Sequence, residues 1–476
     1  MNRVLISAAL SLTALLAACG QTTPRGPAAV HDAPAESAAP DSAAPDSANT
    51  PDSYAARKAA LPAQAPEPLA GAPKASLLQQ TFPGGKPVSA QTLNKATPLI
   101  LVHGLGGWGK QEMMGVPYWG SSYDVVGDLR GQGYNVFAAS VGPISSNWER
   151  AAELYAQIKG GCVDYGAAYS ARHGFSRFDP AKCYPGFYPE WDAEHPIHLL
   201  GHSMGGQTAR MLVKLLEDGS PADAEGDNLF RGGRGGWVSA VMTVSTPNSG
   251  TPATDHIQAM VPMLKDLLKT VAASMGVSSR SLVYDFDLGQ WGLRRQPGET
   301  FDTYFDRVMA SHFAKNDSNA AYDLSVDGMA DLNTFIGRSP NTVYASWTTS
   351  ATTPGLVTGW AYPTPLFMNA PLSALAWPYP WPLRPTIGNT TGSSPRGKVR
   401  YDASWWENDG LVPVKSQGAP LGQSQTDFLG GAAQPGQWYH LGKLNNWDHV
   451  AIIGLLELRD VRPFYRNQAA WLASLR

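Results

Sequence analysis

The sequence predicts an α/β fold, and three neighbouring features support this prediction. The run "IHLL" at 197–200 is short and apolar, as a buried strand is. A tight turn, "GHSMG" at 201–205, follows it directly. Apolar residues then recur at helical spacing before Gly219, which supplies a helix end; they are Met211, Leu212, Leu215 and Leu216. A strand, a tight turn and a helix in succession are typical of an α/β fold built around this turn.

The turn carries a serine that has the context of a nucleophile. "GHSMG" fits the pattern Gly-x-Ser-x-Gly, with Ser203 at its centre. A nucleophilic hydroxyl must project from a strained turn, and side chains at Gly201 and Gly205 would crowd that turn. The alternative is a chance match to a common pattern, and the flanking strand and helix argue against it.

A serine nucleophile needs N–H groups that stabilise an oxyanion. The residue after the nucleophile, Met204, is expected to supply one backbone N–H. The segment "HGLGG" follows an apolar run at 98–102, and Leu105 within it is expected to supply the second. The alternative is that this segment is only a structural turn. We expect His103 to shape the loop and not to act as the base.

The general base should follow the nucleophile and the acid in the chain. Three histidines lie after residue 300, namely His312, His440 and His449. His449 stands just before the apolar run "VAIIGLLEL", which is the usual position of a base presented from a loop. His440, in "QWYHLG", has the pattern of a strand residue and is expected to be structural. The prediction is therefore His449.

The acid has two candidates. Asp409 lies in the polar turn "NDG", after two tryptophans and before an apolar run. Asp-Gly pairs are often only turn formers, so this pattern alone does not prove a catalytic role. Asp448 adjoins His449, but neighbouring residues rarely orient their side chains toward each other. We predict Ser203 as nucleophile, His449 as base and Asp409 as the residue that orients His449.

The N-terminal part predicts export. Residues 1–19 combine Arg3, an apolar run and "LAAC", the pattern of a bacterial lipoprotein signal in which Cys19 is lipidated. The alternative is an ordinary secretory signal. Residues 20–75 are rich in Ala, Pro, Ser and Asp and are interpreted as a disordered tether. The expected result is a protein anchored to a membrane surface, or otherwise secreted.

Composition excludes some classes of function. The 476 residues carry a net charge of −3, and only 16% are charged, with no basic stripe, so nucleic acid is not an expected partner. No apolar run after the signal is long enough to span a membrane. Residues 76–476 are interpreted as one large enzyme domain, and its oligomeric state is left open.

Several segments, in order, resemble one known family. They are "HGLGGWG", "YWG", "VGPISSNWERAAELYAQI", "VDYGAAYSARHG", "HSMGGQTARMLV", "VYDF…QWGLRRQPGE", "YDLSVDG", "WENDG" and "WDHVAIIG". Over about residues 97–465 the chain resembles the large bacterial true lipases of the thermoalkalophilic, zinc-containing subfamily. The resemblance implies an α/β-hydrolase fold, with a central, mostly parallel sheet flanked by helices and a helical lid at about 247–276. It implies hydrolysis of carboxylic esters, triacylglycerols above all, and it assigns the same triad.

The chain departs from this subfamily at the metal sites. Zinc is bound there by an Asp after the "SSNW" tryptophan, two His in the next segment and an Asp just before "YDLS". The corresponding residues here are Glu149, Tyr169, Phe175 and Ser318, with Asp317 beside the last. The calcium carboxylates, two and seven residues after the catalytic His, correspond to Ala451 and Leu456. We therefore predict no zinc, no calcium and no other cofactor.

Two cysteines bracket the segment that zinc holds in the subfamily. Cys162 and Cys183 could form a disulfide in an exported protein, provided that Cys19 is lipidated. A metal site is disfavoured because His173 is the single histidine between them, and a redox pair because the spacing is not Cys-x-x-Cys. We predict a disulfide that replaces the lost metal.

Two segments bear on the substrate. Apolar residues recur at helical spacing from Ile257 to Val271, which fits the lid that the resemblance implies or an ordinary packed helix. "LAWPYPWPLRP" at 375–385 is interpreted as a stiff loop, either at the surface or touching long or aromatic substrates.

The expected function is a triacylglycerol lipase or carboxylesterase acting through an acyl-enzyme on lipid or another ester. The alternatives are an extracellular polyester hydrolase with the same triad and a non-catalytic lipid-binding protein.

Overall fold

The structure is a computed structural model that describes residues 93–109, 113, 115–256, 264–266, 268–270, 272–273, 284–378 and 386–475. The predicted signal segment 1–19 with Cys19, and the predicted tether 20–75, lie outside the described residues. So do parts of the predicted lid and of the Pro-Trp loop.

A parallel sheet forms the centre of the fold. The strands are β1 (Leu99–Val102), β2 (Val136–Ala139), β3 (Gly161–Asp164), β4 (Phe178–Tyr184), β5 (Ile197–His202), β6 (Val238–Val244), β7 (Val343–Ser350), β8 (Thr352–Pro354), β9 (Ala361–Pro363), β10 (Gly392–Ser393), β11 (Arg400–Tyr401), β12 (Thr426–Asp427) and β13 (Trp438–Asn445). Seven of them pair in the order β12-β13-β7-β6-β5-β1-β2, and each of these pairings is parallel. The predicted mostly parallel sheet is confirmed.

Helices flank this sheet. They are α1 (Val125–Gly131), α2 (Asn147–Lys159), α3 (Ala167–His173), α4 (Met204–Glu217), α5 (Phe301–Ala310), α6 (His312–Lys315), α7 (Ala320–Leu324), α8 (Val326–Ile336), α9 (Ala370–Ala376), α10 (Val414–Gln417) and α11 (Arg462–Ala473). Short 3-10 turns lie at Ser121–Tyr123, Leu229–Arg231, Pro252–His256, Gly289–Trp291, Ala403–Trp405 and Ala451–Ile453. Residues 264–266, 268–270 and 272–273 are also helical, and we call them the covering helix.

The two faces of the sheet bury different hydrophobic clusters. Alternate side chains of β1 point to opposite faces, so Leu99 and Leu101 pack in one cluster and Ile100 and Val102 in the other. Helices α1 and α11 contribute to the first cluster, and α2 and α4 to the second. Burial on both faces explains why the strands are apolar runs and do not alternate with polar residues.

Helix ends follow from local side chains. Ser146 caps α2 by accepting the N–H of Glu149, and its hydroxyl also donates to the Glu149 carboxylate at 3.0 Å. Thr300 caps α5 and Ser325 caps α8 by accepting N–H groups of the first turn. The helix predicted after Ser203 is α4, and Gly219 follows its C-cap at φ 65°.

Among the described residues, no helix is long and apolar enough to cross a membrane.

Strands β3 and β4 form an antiparallel ribbon outside the central sheet. Cys162 and Cys183 face each other in its register and are joined by a disulfide, across a separation of 21 residues. The pairing predicted from the sequence is thus the one that the structure contains. The bond closes the chain segment that carries α3.

Replacing Cys162 and Cys183 together by Ala should lower the free energy of unfolding by about 3 kcal/mol, because the unfolded chain gains the freedom that the closed loop denied it. Urea unfolding measures the difference. Cys19→Ala is the control and should leave stability unchanged.

Thiol titration of the denatured chain gives an independent measurement. The chain has three cysteines, and Cys19 can react only where it is not lipidated. Cys162 and Cys183 should not react without reductant, and with reductant their two thiols should appear. Reaction of Cys162 and Cys183 without reductant would contradict the disulfide.

Candidate active site

The backbone at Ser203 is strained. Ser203 follows the last residue of β5 and has φ 54° and ψ −131°, a conformation that residues with a side chain rarely adopt. A Cβ at Gly201 would lie 2.3 Å from the amide nitrogen of Gly206, and one at Gly205 would lie 2.0 Å from the carbonyl oxygen of Val102. Only glycine fits at these two positions, for the steric reason that the sequence pattern suggested.

The structure brings the three predicted triad residues together. His449 Nε2 is 2.8 Å from Ser203 Oγ, and His449 Nδ1 is 2.9 Å from Asp409 Oδ2. All three side chains are buried, and Asp409 is fully shielded from solvent. Ser203 comes from the β5–α4 turn, and the other two come from loops after β11 and β13. A serine hydroxyl, an imidazole and a carboxylate in this order can generate a nucleophile.

The carboxylate of Asp409 is held on both oxygens. Thr349 Oγ1 donates to Oδ2 at 2.9 Å and Gln417 Nε2 donates to it at 3.2 Å. The backbone N–H groups of Leu411 and Val412 donate to Oδ1. These donors stabilise the charged carboxylate and fix its orientation toward the imidazole. Thr349 and Gln417 carried no signal in the sequence.

Asp448, the competing acid, faces away from the imidazole. Its Oδ1 accepts hydrogen bonds from the backbone N–H groups of Val450 and Ala451. Its Oδ2 accepts hydrogen bonds from the backbone N–H and the side-chain amide of Asn369. Burial raises the pKa of this carboxyl group. Its contacts are those of a residue that shapes the turn around His449.

The remaining histidines after residue 300 lie elsewhere. His440 is on β13, where its Nδ1 is 3.1 Å from Asp427 Oδ1. His312 begins α6 and contacts the backbone of His173. Neither has a contact with Ser203 among the described residues.

The loop after β1 lies against the nucleophile. A Cβ at Gly104 would lie 2.6 Å from Ser203 Cβ, so the loop backbone passes directly beside the serine. Among the described residues, the N–H groups of Leu105 and Met204 have no hydrogen-bond acceptor. Met204 is also the first residue of α4, where the helix dipole favours negative charge. Both predicted N–H donors are therefore available beside Ser203.

His103 holds the shape of this loop. Its Nδ1 donates to the carbonyl of Gly104 at 2.9 Å, and its Nε2 accepts the N–H of Val141 at 3.1 Å. Burial, together with the positive charge of Arg150, lowers the pKa of His103 to about 3. Arg150 in turn donates to the His103 carbonyl. A neutral imidazole with both nitrogens engaged in this way is structural.

A narrow apolar pocket opens onto Ser203 and His449. It contains about 740 Å³ of empty space, part of it open to solvent. The pocket is lined by Leu105, Trp108 and Leu411. Leu264 and Leu268 of the covering helix also line it. Both leucines are buried, and a Cβ at Gly106 would lie 2.8 Å from Leu264 Cδ1. The covering helix thus covers one side of the pocket.

The positions that the resemblance associates with zinc do meet in the fold, but their side chains do not fit a metal. Glu149 is fully buried, and Ser146, Ser318, Gln290 and Trp291 all donate to its carboxylate at 2.7–3.0 Å. The Tyr169 hydroxyl is 2.9 Å from Ser318 Oγ, and Phe175 packs on Trp291 with ring centroids 4.5 Å apart. Burial raises the pKa of Glu149. One carboxylate with neutral donors lacks the ligand set that zinc needs.

The positions that correspond to the calcium ligands also lack side chains that could bind a metal. Ala451 and Leu456 have no oxygen in their side chains, and the nearby Asp448 is occupied by backbone N–H groups. Among the described residues, no group of three or more His, Cys, Asp or Glu side chains could hold a metal ion. The absence of both metals stays a prediction.

Comparison with known proteins identifies the family. The family described as "Lipase-like, C-terminal domain" matches residues 94–373. Lipase 1 of Staphylococcus aureus (strain MRSA252) is 34% identical over 385 residues, which are 79% of this chain and 53% of that protein. The chain spans about half the length of the curated relatives it matches.

Two solved structures are similar over most of their own length. EstA from Clostridium botulinum has a TM-score of 0.72 at 34% identity, over 84% of this chain and 90% of EstA. Lipase 1 from Pelosinus fermentans has a TM-score of 0.70 at 37% identity, over 81% of this chain and 100% of that one. The chain belongs to the bacterial lipase family defined by the lipase-like C-terminal domain, and it has the α/β-hydrolase fold.

Proposed function

We propose that the protein hydrolyses carboxylic esters through an acyl-enzyme, with triacylglycerols as its substrate class. The observation that carries this proposal is the continuous hydrogen-bonded series Ser203–His449–Asp409 at the base of an apolar pocket. The lipases of Staphylococcus aureus and Pelosinus fermentans among its relatives support the same substrate class.

In the first half of the reaction, Ser203 Oγ attacks the ester carbonyl carbon while His449 Nε2 takes the hydroxyl proton. The imidazolium that forms is stabilised by Asp409 at Nδ1. The bond to the leaving alcohol then breaks, and His449 gives its proton to that alcohol. In the second half, water attacks the acyl-enzyme with His449 again as base, which releases the acid and restores Ser203.

Negative charge develops on the carbonyl oxygen in both halves. The N–H groups of Leu105 and Met204 are the donors that we assign to it, since both are available beside Ser203. The N-terminus of α4 adds a favourable dipole at the same place. No cofactor takes part in these steps.

The apolar pocket supports a substrate with a hydrocarbon chain. Its walls carry leucines and Trp108, and few polar side chains other than Ser203 and His449 face it. Because the covering helix covers one side of this pocket, we propose that it is the lid and that it must move before a triacylglycerol binds. Lys265 and Lys269 of the covering helix both contact Asp302 of α5, at 3.0 and 2.6 Å, and these ion pairs favour the closed position.

The other functions that the sequence left open have weaker support. A polyester hydrolase would depend on the Pro-Trp loop, and residues 379–385 of this loop lie outside the described residues. A non-catalytic lipid-binding protein would not need the oriented imidazole and the four donors that hold Asp409.

We also propose export and lipidation of Cys19, on the sequence pattern of residues 1–19.

Ser203→Ala should abolish hydrolysis of both emulsified triolein and soluble tributyrin, a fall in kcat on the order of 10⁶, because no nucleophile remains. Titration of released fatty acid measures both rates, and melting temperature checks that the variant folds. Strong wild-type activity on triolein indicates a lipase, and activity on tributyrin alone indicates an esterase. Equal rates for wild type and variant would contradict the proposed function.

Asp409→Asn should lower kcat by a factor on the order of 10⁴, because the amide no longer stabilises the imidazolium. Asp448→Asn is the matched control, since it removes the buried carboxylate of the residue next to His449 in the chain. We expect it to lower stability by about 1–3 kcal/mol and to leave kcat within roughly tenfold. The reverse ranking of the two kcat values would assign the acid to Asp448.

Asp302→Asn should raise the rate on soluble tributyrin roughly twofold to fivefold, since it weakens two exposed ion pairs that hold the covering helix. High salt should raise the wild-type rate in the same way. Asp331→Asn is the control, because Asp331 pairs with Arg396 and Lys398 on other elements. An unchanged or lower rate in Asp302→Asn would argue against the proposal that these ion pairs hold the lid in place.

A further inference from the structure

A buried histidine next to the nucleophile has no part in the reaction steps above. His202 is the second residue of "GHSMG", it is 1% exposed, and its ring centroid lies 4.9 Å from that of His449. No sequence pattern assigns a role to His202. Its two ring nitrogens connect the loops that carry the oxyanion donor and the base.

The connection is a chain of three hydrogen bonds. The N–H of Gly104 donates to the Tyr118 hydroxyl oxygen at 3.1 Å. That hydroxyl is 2.7 Å from His202 Nδ1, and His202 Nε2 is 2.9 Å from the carbonyl oxygen of His449. We call these four groups the Tyr118–His202 relay.

The chemistry of the two ends fixes the direction of the relay. A carbonyl oxygen can only accept, so His202 Nε2 carries a hydrogen and donates to His449. In a neutral imidazole Nδ1 is then an acceptor, and it takes the hydroxyl hydrogen of Tyr118. The tyrosine oxygen remains free to accept the N–H of Gly104. Every group in the relay is thus satisfied with His202 in one neutral tautomer.

The environment favours this neutral form. Burial and the nearby imidazole of His449 lower the pKa of His202, and burial raises the pKa of Tyr118. Neutrality matters here because His449 becomes a cation when it takes the proton of Ser203. A second cation 4.9 Å away would oppose that step.

We propose that Tyr118 and His202 are positioning residues that hold the oxyanion loop and the base loop in one fixed register and keep a neutral ring beside the imidazolium. One end of the relay is Gly104, whose neighbour Leu105 supplies an oxyanion donor, and the other end is the backbone of His449 itself. The inference rests on the proposed roles of Ser203 and His449. It predicts that loss of the relay impairs the chemical step and not substrate binding.

The test uses Tyr118→Phe, which removes one oxygen, and two substitutions of His202. His202→Leu removes both contacts, and His202→Gln keeps an amide N–H for the carbonyl of His449. The full-length protein is assayed on a soluble p-nitrophenyl butyrate for kcat and KM, and with a fluorophosphonate for the rate of Ser203 labelling. The melting temperature of each variant is measured alongside.

We expect kcat to fall roughly 10-fold in Tyr118→Phe and roughly 100-fold in His202→Leu, with KM within twofold of wild type, because small misplacements of reacting groups slow the chemical step. Labelling by the fluorophosphonate should slow by the same factors. His202→Gln should recover most of the loss that His202→Leu causes.

Two buried residues of the same types provide matched controls. Tyr134 is buried, and its hydroxyl has no partner among the described residues. His198 is buried on β5, the same strand as His202, and its Nδ1 has no partner among the described residues. Tyr134→Phe and His198→Gln should leave kcat within twofold of wild type.

Three results would overturn the inference. They are a kcat of Tyr118→Phe and His202→Leu no lower than that of the controls, a rise in KM at constant kcat, and a His202→Gln no better than His202→Leu at equal melting temperature. If His202→Leu fails to fold, Tyr118→Phe alone decides. Activity that survives in Ser203→Ala would instead refute the proposed function, so the two failures are distinguishable.

Discussion

The active site depends on one strained backbone position, Ser203 at the end of β5. A positive φ at a residue with a side chain costs about 1–3 kcal/mol and persists only where the surroundings enforce it. The enforcement here is close packing of backbone on backbone: Gly201 against Gly206, Gly205 against Val102, and the Ser203 N–H bonded to the Val244 carbonyl. Three elements are positioned relative to this turn: helix α4, the loop after β1 and the loop that carries His449. A shift in the sheet register would therefore displace the Ser203 hydroxyl.

Two imidazoles packed beside the turn are kept neutral by burial, and that limits the charges that the reaction meets. His103 is held by a backbone carbonyl and a backbone N–H, and His202 by the Tyr118 hydroxyl and the His449 carbonyl. Burial lowers the pKa of both imidazoles. Farther away, neutral donors surround Glu149. In a buried site little solvent screens the interaction between charges. A single carboxylate beside an imidazole therefore strongly stabilises the imidazolium that forms during the reaction. Asp409 is the carboxylate that contacts His449, and its other hydrogen bonds fix its orientation toward the imidazole.

The parts of the site that sequence analysis predicted are those written into short stretches of chain. The turn at Ser203 needs its glycines within two residues, and the strand and helix around it have their own periodicity. Thr349, Gln417 and Tyr118 were missed because their roles come from contacts between distant segments. Tyr118 meets His202 across 84 positions, and Thr349 meets Asp409 across 60. The choice between Asp409 and Asp448 had the same limit, since turn chemistry suits both and only the fold decides which one faces the imidazole.

The edges of the central sheet have a consequence for the protein in concentrated solution. One edge strand, Thr426–Asp427, has two residues, and the other, Val136–Ala139, has four. Arg130 donates to the carbonyl of Val136, and Gln157 accepts the N–H of Ser140 just beyond the same strand. A sheet grows from molecule to molecule by pairing free edge groups, and both edge strands of the described sheet are short. The fold therefore offers little template for fibril-like self-association, even though its interior strands are strongly apolar.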